Sequence, residues 1–237
     1  MICSSSRTHR GNIRIINEDS VLCHPEYQLY AIADGMGGHS AGDLASQLII
    51  TELLKIYLEE NDQVNTLKQI ESTLITINEK INSGLINNDE NTVVGSTVVI
   101  AYIFEDVCSF FWVGDSRLYI YRSKRLYQLT KDHSLIQEMI DSGKLSYIEA
   151  KRHPRSNVIT RALGVCSELK VDSNQFRIQS GDKLLLCSDG LYKEIDPNII
   201  INSLQKEHTE MIANNLLGEV LIRNAADNVS FIVLAKE

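Results

Sequence analysis

Five aspartates in the 237-residue chain stand where predicted strands begin or end: Asp19, Asp34, Asp115, Asp189 and Asp227, in the strings NED, ADG, GDS, SDG and ADN. Asp34, Asp115 and Asp189 follow a strand, whereas Asp19 and Asp227 precede one. In an antiparallel sheet the start of one strand shares an edge with the end of its neighbour. The topology therefore allows all five carboxylates to meet on one rim. Carboxylates gathered that closely repel one another and hold protons more tightly than usual. A divalent cation reverses this by supplying local positive charge. All-oxygen ligation suits Mg²⁺, Mn²⁺ or Ca²⁺, and no thiolate or imidazole cluster offers a zinc site. Glycine at position 35 lets the backbone approach closely, which makes the Gly35 carbonyl a further candidate ligand. The plainer alternative is that aspartate favours strand ends and turns in any protein.

The elements that must hold these groups show as apolar patterns. Residues 20–23 and 28–33 are short apolar runs around His24-Pro25-Glu26-Tyr27, a turn sequence. If they pair as a hairpin, Asp19 and Asp34 face each other at its open end. Residues 43–59 put Leu44, Ala45, Leu48, Ile49, Leu53 and Ile56 on one helical face. Residues 64–87 do the same with Leu67, Ile70, Leu74, Ile77, Ile81 and Leu85. Two such helices in succession pair on something flat. Residues 96–104, 107–113, 117–122 and 125–128 supply it, as an antiparallel meander rich in Val, Ile, Tyr and Phe. Two short helices follow at 133–142 and 146–152, then a strand at 183–187, helices at 197–204 and 209–222, and a last strand at 229–235. Strands and helices come in blocks, which predicts an α+β fold with antiparallel sheets.

Composition narrows the classes. With 43% hydrophobic and 23% charged residues, only 3 prolines and no linker-like stretch, the chain reads as one globular domain over 1–237. Five cysteines, odd in number and without a CxxC pair, argue for a reducing compartment, expected to be the cytoplasm. No signal peptide is expected at MICSSSRTHRGN, and no apolar run approaches the ~20 residues of a membrane span. A net charge of −8 argues against nucleic acid as the main partner.

Familiar motifs fail. The Gly37–Gly42 spacing has Asp43 where a P-loop needs lysine, and Ser40 replaces the third glycine of a dinucleotide fingerprint. No arginine lies six residues after any cysteine, which excludes a thiol phosphatase loop, and no GxSxG elbow occurs. The scattered histidines each read as surface or satisfied groups. What does match is an ordered set running along nearly the whole chain. It opens with Gly11-Asn12-Ile13-Arg14 and Asn17-Glu18-Asp19, then Asp34-Gly35-Met36-Gly37-Gly38-His39 with Gly42 and Ala45-Ser46. Gly95-Ser96-Thr97, Gly114-Asp115-Ser116-Arg117, Leu129-Thr130 and Asp132-His133-Ser134 follow. His153-Pro154, Thr160-Arg161-Ala162-Leu163-Gly164, Ser188-Asp189-Gly190-Leu191 and Asp227-Asn228 complete it. In this set the chain resembles the type 2C, metal-dependent protein phosphatases in their compact bacterial form.

The resemblance implies a sandwich of two antiparallel β-sheets flanked on each side by antiparallel α-helices. It implies hydrolysis of phosphoserine and phosphothreonine in proteins by a metal-activated water, with Mn²⁺ or Mg²⁺: two ions in the main site and a third, weaker one. Asp34 would bridge the two, the Gly35 carbonyl would ligate the second, and Asp189 and Asp227 would complete the first. Glu18 and Asp19 would hold water on the ions, and Asp115 with Asp189 would form the weaker site. Arg14 would grip the phosphate, and Asn228 would either support the residues that hold the ions or act as a substrate-binding group on the phosphate side. Eukaryotic members carry histidine directly after the Asp-Gly pair; here Met36 stands there, and His39 reads more as a helix cap than as a catalytic group. The competing reading is a catalytically silent phosphoprotein-binding scaffold, which should have lost a metal aspartate; none is lost. The expected setting is a monomer opposing a bacterial serine/threonine kinase. The segment 134–164, with its Ser142-Gly143 break and the basic run Lys151-Arg152-His153-Pro154-Arg155, is expected to form a flap over the cleft.

Overall fold

Two antiparallel sheets face each other across an apolar layer, and helices cover their outer faces. The computed structural model describes residues 1–37, 41–56, 63–84, 93–150 and 153–237. Its strands are β1 (Ile2–His9), β2 (Asp19–His24), β3 (Leu29–Met36), β4 (Gly95–Ser96), β5 (Val98–Phe104), β6 (Val107–Val113), β7 (Arg117–Arg122), β8 (Arg125–Gln128), β9 (Asp172–Arg177), β10 (Lys183–Cys187) and β11 (Val229–Lys236). Its helices are α1 (Ala41–Leu53), α2 (Gln63–Asn82), α3 (Leu135–Asp141), α4 (Tyr147–Ala150), α5 (Asp189–Tyr192), α6 (Pro197–Leu204) and α7 (Thr209–Leu221). One sheet has the order β1-β11-β10-β7-β8; the other has β2-β3-β5-β6-β9, with β4 beside β3.

Alternation along the strands builds three apolar layers, because successive side chains point to opposite faces. Tyr30, Ile32, Val99, Ala101, Phe110 and Trp112 meet Leu118, Ile120, Leu184, Leu186, Ile232 and Leu234 between the sheets. On the far side of the first group, Ala31, Ala33, Val98 and Ile100 receive Ile49 and Leu53 of α1 and Ile70, Leu74 and Ile77 of α2. The other outer face sets Leu185, Phe231 and Val233 against Ile200 and Leu204 of α6 and Ile212 and Leu216 of α7. Central strands are thus covered on both faces, which is why VVIAYIF in β5 is a continuous apolar run. Each fully buried Leu or Ile contributes about 1.5–3 kcal/mol, so these layers fix how the sheets stack.

Four elements depart from the sequence reading. Strands β1 and β9 carry the polar strings ICSSSRTH and DSNQFR, and both lie at sheet edges, where no apolar alternation is demanded. Helix α5 has only four residues, too few for any periodic signal. Helix α1 ends at Leu53, earlier than the pattern suggests: Lys55 and Ile56 N–H donate to the carbonyls of Glu52 and Leu53, tightening the last turn. Ile56 still packs on the core from outside the helix, so the apolar spacing outran the helix. The expected helical residues 57–59 and 85–87, His39 and the pair Lys151-Arg152 lie outside the described residues.

Candidate active site

Strands β2 and β3 pair in the register that sets Asp19 opposite Asp34. Opposed residues project to the same face, so the hairpin delivers two carboxylates side by side. Its open end is closed by the Gly35 N–H, which donates to the Glu18 carbonyl at 3.1 Å. The Asp34 carbonyl accepts from the Thr97 N–H at 2.9 Å and the Ser96 hydroxyl at 3.0 Å. A Cβ on Gly35 would stand 2.1 Å from the Gly42 carbonyl oxygen and 2.7 Å from that of Glu18. Only glycine lets these three segments converge.

The second sheet completes the rim. Ser188, directly after β10, donates its hydroxyl to Asp19 Oδ2 at 2.8 Å, and Asp189 opens α5. Asp227 precedes β11, and the Asn228 beside it gathers the loop that carries Arg14 and Glu18. Asn228 Nδ2 donates to the Arg10 and Ile16 carbonyls at 3.0 and 2.9 Å, and its Oδ1 accepts the Glu18 N–H at 2.9 Å. Asp115 lies in the turn where the chain crosses from β6 to β7. There the Gly114 N–H donates to His133 Nδ1 at 3.0 Å, and the Thr97 and Ser116 hydroxyls are 2.7 Å apart.

Electrostatics shows that the five aspartates share one field. Burial, then the charges of Asp19, Asp189, Asp115 and Asp227, hold the Asp34 carboxyl well above the ordinary carboxylate range. Burial also pushes Asp19 up to about 7, helped by Asp189 and Asp227 against hydrogen bonds from Ser230 and Ser188. Asp115 rises to about 6 from burial and Asp189, with Lys193 opposing. Glu18 is raised by burial against the counter-pull of Arg14. Two buried oxygens, Asp19 Oδ1 and Asp115 Oδ1, have no hydrogen-bond partner. Among the described residues no three acidic, imidazole or thiol side chains close tightly enough on one point to ligate an ion as they stand. Basic groups stand among the acids instead. Arg14 holds Asp227 with both arms, Nε to Oδ1 at 2.9 Å and Nη2 to Oδ2 at 3.0 Å, while Lys193 Nζ lies 2.6 Å from Asp189 Oδ2. An oxygen-only donor set, held protonated or neutralised by ammonium and guanidinium, with orphaned buried carboxylate oxygens, fits a divalent cation site.

Asp19, Asp34, Asp115, Asp189 and Asp227 are therefore brought together as the strand-end argument expects, with Glu18 and Gly35 beside them. Two of the expected residues have partners in the fold. Every polar atom of the buried Asn228 side chain is committed to backbone, so of its two expected roles the supporting one fits: it clasps the 10–18 loop. Arg14 is half exposed and turned onto Asp227, where an ion at Asp227 would compete with it. His133 is a satisfied group: Nδ1 accepts from Gly114, which leaves Nε2 to donate to Asp172 at 3.2 Å. The sequence reading missed Tyr192 and Lys193, and it gave Ser188 a place in a motif without a role. Lys193 follows Asp189 by four residues, one helical turn, and that spacing was the available signal.

The family model for protein phosphatase 2C matches residues 7–138. The serine/threonine phosphatase stp of Listeria monocytogenes serotype 4b is 37% identical over 210 residues, spanning 86% of this chain and 83% of the relative. Among solved structures, PppA, a regulatory component of the type VI secretion system in Pseudomonas aeruginosa, superimposes with a TM-score of 0.90 at 34% identity, covering 99% of this chain and 97% of that one. The catalytic domain of the serine/threonine phosphatase PstP, in complex with two manganese ions, does so at 0.85 and 30% identity, covering 99% and 97%. The chain belongs to the protein phosphatase 2C family, and it is a protein phosphatase.

Proposed function

We propose that the chain removes phosphate from phosphoserine and phosphothreonine in proteins, using a pair of Mn²⁺ or Mg²⁺ ions centred on Asp34. The observation that carries this is the convergence on Asp34: Asp19 faces it in register, and the other four aspartates all act on its carboxyl. Asp34 would bridge the two ions, Gly35 would add its carbonyl, and Asp189 and Asp227 would complete the first ion's shell, with Glu18 and Asp19 acting through water. When bound, the pair activates water at neutral pH and neutralises charge that builds on the phosphoryl oxygens. The chain's own groups do the rest. Arg14 presents a planar fork of donors, the shape that matches phosphate oxygens, once Asp227 no longer occupies it. Ser188 keeps Asp19 oriented, and the Asn228 clasp sets the height of Arg14 and Glu18 over the rim.

The 237 residues act as one domain and one monomeric catalytic unit, opposing a serine/threonine kinase in the cytoplasm. All five cysteines are free thiols, which suits a reducing compartment. Among the described residues no helix is long and apolar enough to cross a membrane. A third ion, expected at Asp115 and Asp189, meets a lysine there. Purified protein should release phosphate from a phosphothreonine peptide with Mn²⁺ and stop on exhaustive chelation; turnover that survives chelation would refute the metal mechanism.

A further inference from the structure

Lys193 follows Asp189 by one turn, and the short helix α5 carries it back onto the acid rim. Its Nζ stands 2.6 Å from Asp189 Oδ2 and 3.7 Å from Asp115 Oδ2. A further bond, 3.0 Å to Asn157 Oδ1, comes from the 134–164 segment. The ammonium thus lies between the two carboxylates that the family pattern assigns to a weaker third ion.

The surroundings are built to keep it there. Asp115 is only 3% exposed, and the Tyr192 hydroxyl is shared between its backbone carbonyl at 3.1 Å and its Oδ2 at 3.3 Å. The Tyr192 ring is fixed in turn by the Arg117 guanidinium, 3.5 Å above its centre, and Arg117 is locked to Asp132. The last residue of the short helix and its C-cap, a hydroxyl and an ammonium, therefore both stand against Asp115. Asp115 Oδ1 is buried without a hydrogen-bond partner, while the ammonium takes Asp189 Oδ2 and stands against Asp115 Oδ2, two of the oxygens a hard dication would need. A compact ammonium with three donors satisfies Asp189 and Asn157 directly and pairs with Asp115 through charge. A dication entering the same space would face a fixed positive charge at contact distance, which opposes its binding.

We propose that Lys193 is the resident cation of the Asp115–Asp189 pair, so that this chain takes two divalent ions and not three. The inference rests on the two-ion reading of the main site. It makes the third corner of the rim a part of the protein, independent of metal supply and joined to the 134–164 segment through Asn157.

Counting ions on the full chain tests it. Mn²⁺ is titrated calorimetrically and bound metal is measured after equilibrium dialysis. Wild type should hold two ions, and Asp115→Asn should also hold two. Lys193→Met, which keeps the apolar stem, should gain a third and weaker ion, and adding Asp115→Asn to it should return the count to two. Three ions on wild type, one of them lost in Asp115→Asn, would overturn the proposal even if the lysine variant failed to fold. A count that stays at two in folded Lys193→Met would overturn it as well. Fewer than two ions on wild type would fell the two-ion reading itself, and this proposal with it.

Discussion

A carboxyl at the bottom of this rim can remain there in two ways: it keeps a proton, or it meets a cation. That choice has a measurable sign. An aspartate in the unfolded chain releases its proton near pH ~3.9. In the fold, Asp19 holds it up to about 7, Asp115 up to about 6, and Asp34 is raised well above the usual range. These groups bind protons more tightly folded than unfolded, so their contribution is fully present below pH ~4 and is lost as pH rises toward ~7. The Tm of chelated protein should therefore fall across that window, and Mn²⁺ should flatten the fall. A chelated Tm that stays level or rises there would sink the account of the rim, and Asp19→Asn should lessen the fall. Function gives a second reading of the same residues. Asp34→Ala and Asp227→Ala should abolish turnover at saturating Mn²⁺ while circular dichroism in chelator stays that of wild type. Near-normal activity in either would move the metal site elsewhere. Arg14→Ala should raise KM for phosphate substrates with a smaller effect on kcat; an unchanged KM would return Arg14 to being the ion-pair partner of Asp227.

Among the elements, close approach of backbones decides what can be changed. Gly35 has the Gly42 and Glu18 carbonyl oxygens where a Cβ would go, and neither can swing aside as a side chain would. Gly35→Ala should cost about 1–3 kcal/mol, the range for forced overpacking, and should lose turnover because the hairpin end shifts. Gly218, exposed in the last turn of α7 with nothing within 4 Å, makes the contrast. Gly218→Ala should gain about 0.5–1 kcal/mol by restricting the unfolded chain. Urea denaturation reads both, and equal effects at the two sites would show that the crowding at Gly35 is not what limits it. The same physics explains what the sequence disclosed. Strands covered on both faces, such as β5 and β10, advertise themselves through apolar runs, and the Asp19–Asp34 pairing follows from a short hairpin whose register the turn fixes. Edge strands β1 and β9 are half wet and polar, so composition hides them. Lys193 was equally hidden, because a lysine one turn after an aspartate reads as an ordinary surface pair until the fold brings Asp115 alongside.

At the scale of the whole molecule, the site exists only when the two sheets are stacked. Asp19 and Asp34 belong to strands of one sheet, Asp189 follows and Asp227 precedes strands of the other, and Asp115 lies in the turn that joins the two. The 134–164 segment hangs from this junction. Its base is pinned: the Leu135 N–H donates to the Val158 carbonyl at 2.9 Å, the Thr160 N–H to the His133 carbonyl at 2.8 Å, and Leu163 exchanges both backbone bonds with Ser96. Ser96 in turn donates to the Asp34 carbonyl, so the base of the segment touches the backbone of the central aspartate. The outer part is held far less. Helix α3 buries no residue, and Tyr147 and Ile148 of α4 are 72% and 84% exposed. Few buried contacts on a pinned base are what a flap would need, and that expectation has a direct test. The sequence puts Lys151, Arg152 and Arg155 in this segment, basic groups that would suit the residues flanking a phosphoserine or the phosphate itself. Replacing all three with alanine should lower kcat/KM on a phosphoprotein about tenfold, or ~1.4 kcal/mol. Para-nitrophenyl phosphate has no flanking residues, and its turnover should change little. Equal losses on both substrates, or no loss on either, would remove the flap from substrate recognition.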